Sequence, residues 1–354
     1  VVLLRILFRV LFISAIIFII SIYYYSEPDN SEVLQDYNFT NPPKVGIDDN
    51  IDNIHDNSKR PEEGLSIYIG KSINSLVKDY GEPDRKDPTA YGYEWWVFNG
   101  LADTYMQVGV QNDLVVTVYV IGGSLNVAPY KIGQTIEEIY RSTLLDTEIT
   151  IALDNGTYRF ELSEEDLNIR PLVQLGDIYV QLSLDKYTGT LSSVRFVDKK
   201  TLIIQSPYEM PFRGELVENS TPSEEEWTEI EQVTARQIFD ITNVIRNRFE
   251  LNQLSWDEQV ADVAYEHSKD MFDNDYFSHT SPEHGDLSAR LNASNVDFQT
   301  AGENIAFGYV DGPAVVEGWL NSEGHRTAML EEDFTHLGVG VFENYYTQNF
   351  ITVK

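Results

Sequence analysis

Residues 65–205 repeat themselves, and a duplication constrains a fold strongly because both copies must adopt the same supersecondary unit. Ile67-Tyr68-Ile69-Gly70, followed by Ile73, Leu76 and Val77, is echoed by Tyr130-Lys131-Ile132-Gly133, followed by Ile136, Ile139 and Tyr140. Tyr105-Met106-Gln107-Val108 is echoed by Tyr179-Val180-Gln181-Leu182, and the run 114–120 by the run 191–197. Apolar residues at helical steps after each glycine predict a short helix, and the alternating runs predict antiparallel strands that pack on it. Neither copy carries catalytic machinery, so binding or spacing is the expected work. Gly70-Lys71-Ser72 ends like a phosphate-binding loop, but that motif needs a glycine five residues earlier, where Leu65 stands. Trp95-Trp96 with Tyr91 and Tyr93 reads as strand core, with a platform for sugars or peptides as the alternative.

The rare residue types gather elsewhere. Of six histidines, four lie between 279 and 336, with carboxylates among them. The run contains Tyr276-Phe277-Ser278-His279, Gly302-Glu303-Asn304-Ile305, Trp319 followed by Asn321-Ser322-Glu323-Gly324-His325, and His336-Leu337-Gly338-Val339-Gly340-Val341. Two imidazoles and a carboxylate can make a metal site or an acid/base pair. Their spacing fits no local helical ligand motif, so only a tertiary fold could assemble them.

In this order the motifs resemble the CAP domain, the family of cysteine-rich secretory proteins, antigen 5 and pathogenesis-related proteins, in its short bacterial form without disulfides. The resemblance runs from about residue 230 to the C-terminus. It implies an α+β fold: an α-β-α sandwich around an antiparallel sheet, with a cleft that holds two His and two Glu. Carried over position by position, the cleft residues are His279, Glu303 and His325. The family's second Glu falls where this chain has Asn321 and Ser322, with Glu323 and Glu317 as neighbours; the expected cleft set is therefore His279, Glu303, His325 and Glu323. His279 and His325 are the expected metal ligands, and with Glu303 they suit Zn2+ or another divalent cation that keeps an open coordination position. The duplicated stretch resembles the N-terminal module that accompanies some bacterial CAP domains. More loosely, it resembles the Gly-led helix-and-hairpin repeat of the BamE and beta-lactamase-inhibitor-protein type.

Within the C-terminal region, Ile230, Thr234, Ile238, Ile241, Ile245 and Phe249 predict a first amphipathic helix. Ser255-Trp256-Asp257-Glu258 reads as a capping box for the next helix, whose buried face would be Val260, Val263, Ala264, His267 and Met271. His267 on that stripe reads as a satisfied core histidine. His284 reads as a surface residue, His336 as a strand-edge residue, and His55 as part of a tether.

Residues 1–25 are apolar apart from Arg5, Arg9 and two serines, close to the ~20 residues that span a bilayer. Both arginines precede the run, so the expectation is an uncleaved transmembrane anchor that holds the bulk of the chain outside a cell membrane, with a signal peptide as rival. Residues 26–64 read as an acidic disordered linker, 206–228 as a second linker with prolines at 207, 211 and 222, and 229–354 as the CAP domain. The net charge of −32 would repel a phosphate backbone, which argues against nucleic acid as a partner, and the lack of cysteine removes disulfides and thiolate chemistry.

The expected function is that of a membrane-anchored protein at the cell envelope, with a CAP cleft that binds a small ligand or peptide and a duplicated module that contacts a wall polymer or another protein. The alternative is a metal-assisted hydrolase in which a cation on His279 and His325 activates water and Glu303 takes the proton. The chain has no Gly-x-Ser-x-Gly elbow and no His-Glu-x-x-His helix.

Overall fold

The two copies of the repeat build one sheet. The computed structural model describes residues 34–35, 59–100, 103–217, 219 and 221–353. After a 3-10 turn at Leu65–Tyr68 come α1 (Ile73–Tyr80) and strands β2 (Arg85–Pro88), β3 (Glu94–Phe98), β4 (Met106–Gln111) and β5 (Leu114–Val120). The second copy adds α2 (Ile136–Ser142), β6 (Glu148–Leu153), β7 (Gly156–Glu161), α3 (Glu164–Ile169), β8 (Leu172–Leu175), β9 (Ile178–Asp185), β10 (Thr190–Asp198) and α4 (Lys199–Gln205). The seven-stranded sheet has the order β2-β3-β4-β5-β10-β9-β8, so the last strands of the two copies pair at its centre. Gly70 and Gly133 take the same left-handed turn, at φ 80° and 81°. Their N–H groups donate to Val115 and Leu191 at 2.7 and 2.9 Å. Val115 is thus the counterpart of Leu191, one residue from the match suggested by sequence, where bulges in β5 and β10 shift the local register.

Both faces of this sheet are buried. One carries Val108, Val118, Leu182 and Phe196 against Ile73, Leu76 and Ile139. The other carries Tyr93, Trp95, Tyr105, Tyr119 and Ile121 into a cluster shared with the C-terminal region. A third layer, the three-stranded sheet β11-β7-β6, includes β11 (Phe212–Gly214), which falls within the stretch read as the second linker.

The C-terminal region consists of α5 (Glu224–Arg248), β12 (Ser255–Trp256), α6 (Glu258–Asp273), α7 (Leu287–Ala293), β13 (Phe298–Phe307), α8 (Gly312–Leu320), α9 (Glu323–Leu330), β14 (His336–Phe342) and β15 (Tyr345–Val353). Its sheet has the order β1-β13-β15-β14-β12, where β1 is the two-residue strand Leu34–Gln35. Helices α5, α8 and α9 share one cluster with the sheet, and α6 and α7 share another with Ile351. This is the α-β-α arrangement that the resemblance implied. The Gly-Val-Gly of β14 has a steric cause: a Cβ at Gly338 or Gly340 would collide with the α6 backbone at Ala261 and Tyr265. A true capping box, Ser223 with Glu226, starts α5. The box expected at Ser255 is corrected, because Ser255 and Trp256 pair with His336 and Leu337 and leave Asp257 as the cap of α6.

The transmembrane helix expected in the fold is also corrected. Among the described residues no helix is long and apolar enough to cross a membrane. The longest of them, α5, carries Glu229, Glu231, Arg236 and Asp240 along its length, against the roughly 20 mainly apolar residues that a span requires. Residues 1–25 and His55 lie outside the described residues. The anchor, the single-pass location and the membrane as a partner have no described element behind them and are not carried further.

The two regions share one core. Ile238, Ile241 and Ile245 of α5 and Val315, Val316 and Trp319 of α8 meet Trp95 and Tyr119 in a single cluster. Arg195 of β10 crosses it to reach Asp311, Nη2 to Oδ1 at 2.7 Å, with both side chains buried. Asp311 also caps α8 by accepting from the Ala314 N–H at 3.0 Å. Asn321 clamps the junction from the other end, accepting from Lys186 N–H and donating to the Leu184 carbonyl, both at 2.9 Å. Arg85 and Asp240 add an ion pair at 2.6 Å. Removing one member of a buried pair strands the other charge, so Asp311→Ala is expected to lower stability by about 3–5 kcal/mol in urea unfolding, with the slope unchanged. A loss below about 1 kcal/mol would show that the pair is not integral to the junction.

Candidate functional site

Glu303 and Asn304 are neighbours in β13, so their side chains leave opposite faces of the sheet. Glu303 turns toward α6 and α7. His279 Nδ1 donates to its Oε1 at 2.9 Å, and Arg290 of α7 holds its Oε2. Arg290 Nη1 also donates to the carbonyls of His279 and Gly285, at 2.8 and 2.9 Å, which fixes the loop that carries His279. His267 of α6, 1% exposed, donates from Nε2 to the Ser278 carbonyl at 3.0 Å and stands 3.9 Å from Glu303 Oε1. Four side chains from one strand, two helices and one loop thus meet around a carboxylate that solvent barely reaches.

The electrostatics follow from that burial. Desolvation alone would raise Glu303, but the His279 hydrogen bond and the charge of Arg290 hold its carboxyl below the ordinary value. Desolvation also brings His267 down to about 4, against the opposing pull of Glu303, so this imidazole is neutral at physiological pH. Its Nδ1, and Nε2 of His279, have no hydrogen-bond partner among the described residues.

Asn304 turns to the other face. Its Nδ2 donates to the His325 carbonyl and to Gln348 Oε1, both at 3.1 Å. The His325 ring shares a 2.6 Å hydrogen bond between Nδ1 and Ser322 Oγ. Glu323 is exposed in the first turn of α9. Glu317 is buried against the other module, where Tyr119 and Ser192 donate to it. The structure therefore joins His279 and Glu303 directly, while His325 belongs to a helix on the opposite face and Glu323 faces solvent.

This arrangement corrects the metal-dependent reading. Among the described residues no group of three or more His, Asp or Glu could hold a metal ion. The guanidinium of Arg290 occupies the cation's place on Glu303, and a second positive charge there would meet repulsion. The hydrolase built on a cation at His279 and His325 is set aside.

Two members of the cluster were hidden in the sequence. His267 is buried on its apolar stripe as expected, but only its Nε2 is satisfied, and it also flanks Glu303. Arg290 went unread; its signal is a basic residue beside Leu291 on the buried side of a helix, where a charge persists only when paired.

Two outcomes follow. Arg290→Met should destabilise the protein by about 3–5 kcal/mol, and adding Glu303→Gln should recover part of the loss; simple additivity would deny the coupling. His267 binds its proton more weakly in the folded state, so its contribution is full above pH 6.5 and lost as pH falls toward 4, by roughly 3 kcal/mol. Stability measured at both pH values should fall less in His267→Gln than in the unsubstituted protein, and equal falls would contradict this.

Comparison with known proteins agrees with the geometry. Residues 69–208 match the family described as CAP-associated N-terminal, and residues 239–354 match the cysteine-rich secretory protein family. The chain is 50% identical over 291 residues to the Bacillus subtilis (strain 168) membrane protein YlbC, covering 82% of this chain and 84% of that one. An extracellular protein with an SCP domain from Bacillus anthracis is 43% identical, at TM-score 0.79 over 89% of this chain and 99% of that one. A cysteine-rich secretory protein from Staphylococcus aureus is 28% identical, at TM-score 0.76 over 91% of this chain and 98% of that one.

Proposed function

The chain belongs to the cysteine-rich secretory protein family, in the form that carries the CAP-associated N-terminal module, and from that premise we propose that it is an extracytoplasmic protein of the cell envelope that works by binding. The location is carried over from the extracellular Bacillus anthracis relative. The observation that carries the binding reading is the state of Glu303. One oxygen is engaged by His279 and the other by Arg290, and the carboxyl is held below its ordinary pKa. A general base works best with a pKa near the working pH, and this one is shifted the other way. The cluster is suited to fixing the shape of the 274–286 loop and of the surface beside His279, whose side chain is 15% exposed. Under this proposal His279 and Glu303 shape a recognition surface beside β13 and carry out no chemistry.

Purified protein presented with peptide and ester substrates should give background turnover only. Glu303→Gln should leave that background unchanged at a temperature where the variant is folded. Sustained turnover abolished by Glu303→Gln would overturn the proposal.

A further inference from the structure

The junction of the two modules holds a cavity of about 280 Å3, near the roughly 300 Å3 at which sites for small molecules begin. Its walls are the 88–91 turn between β2 and β3, the N-terminal half of α5, residues 309–311 ahead of α8, and the β14–β15 turn. Tyr91, Trp227 and Tyr309 line it as half-buried rings. Two carboxylates, Glu231 and Glu343, join them. Glu231, 5% exposed, accepts from the Glu343 N–H on Oε1 at 2.9 Å, while its Oε2 accepts from no group among the described residues and is not one of the fully enclosed atoms. Neither carboxylate faces a cation of the protein, and no Lys, Arg or His stands among the described residues that line the cavity. Asp311, the third acidic residue of the wall, is neutralised by Arg195.

Donors in this wall are largely spent on the protein itself. Tyr91 and Tyr346 donate their hydroxyls to the carbonyls of Val310 and Tyr309 at 2.7 and 2.8 Å, Thr89 donates to the Tyr93 carbonyl at 2.6 Å, and Gln237 Nε2 donates to Asp87 at 2.8 Å. A sugar needs donors as well as acceptors around its hydroxyls, and an anion would be repelled by both glutamates. A bare ammonium is a strongly hydrated group with three donors to satisfy, whereas a methylated one presents methyl groups to aromatic rings and needs only negative charge nearby. We propose that the cavity binds a methylated ammonium group, with Glu231 and Glu343 as its counter-charge and Tyr91, Trp227 and Tyr309 as its aromatic wall. Burial pushes both carboxyls up, and the charge of Glu343 adds to this at Glu231; a bound cation would favour their ionised forms. The site shares no residue with the Glu303 cluster and does not depend on the reading given to that cluster.

Titration of the full chain with choline chloride at about 0.15 M salt, read from the broadening of the trimethyl proton signal, tests this, because attraction to exposed charge is largely screened there. Saturable binding is expected, and 3,3-dimethylbutan-1-ol, which has the same shape without the charge, should bind about tenfold more weakly or worse. Trp227→Ala, at a side chain outside the apolar core clusters, and Glu231→Gln, which keeps an acceptor for the Glu343 N–H, should each weaken choline by a similar factor. Glu332→Gln, at an exposed carboxylate outside the cavity, should bind as the unsubstituted protein does. Circular dichroism melts would establish that each variant is folded; if Glu231→Gln is not, Trp227→Ala and the neutral analogue decide. Absence of choline binding, equal binding of the neutral analogue, or unchanged affinity in Trp227→Ala would overturn the proposal.

Discussion

The junction between the modules depends on one buried cation. Arg195 sits in a central strand of the seven-stranded sheet, on the face that meets the C-terminal region. A guanidinium there is tolerated only because Asp311 at the head of α8 supplies the opposite charge and the rings of Trp95 and Tyr119 flank it. The pair sets how α8 meets the sheet, and Asn321 at the far end of the same helix holds the Leu184–Lys186 turn. The modules are thereby docked at both ends of α8. Asn321 is one of the two positions, with Ser322, where the resemblance looked for a second cleft carboxylate, and here it serves docking.

A second buried cation organises the C-terminal half. Arg290 ties α7 to β13 through Glu303 and to the preceding loop through two carbonyls, while His267 holds that loop from α6. The carboxylate at the heart of the family site is thus the knot joining one helical layer to the sheet. A group with so many structural duties is poorly placed to exchange protons with a substrate, which is why a binding role fits better than a catalytic one.

Much of the architecture was legible because it rests on local rules. The duplicated Gly-led units predicted the short helices that follow Gly70 and Gly133, and the apolar steps from Ile230 to Phe249 predicted α5. The Gly-Val-Gly of β14 has its reason in the backbone of α6, which no single sequence displays. The junction was illegible for a similar cause. Leu114–Val120 is apolar almost without alternation, the pattern of a strand covered on both faces, but the run does not say what covers the second face. Trp95 reads as strand core in either case. The cluster around Glu303 was half visible: motif order brought His279 and Glu303 together, while Arg290 lies in an unremarkable helix and could be placed only by tertiary contact.

The central claim is that the two modules form one cooperative body through a common core. Native-state hydrogen exchange at increasing urea tests it most directly, because it reads the opening free energy of each segment separately. The account predicts that the slowest amides of β5 and β10 and those of α5 and β15 exchange through one global unfolding, with the same free energy and the same urea dependence. Exchange of either set through a lower-energy opening that leaves the other protected would contradict it.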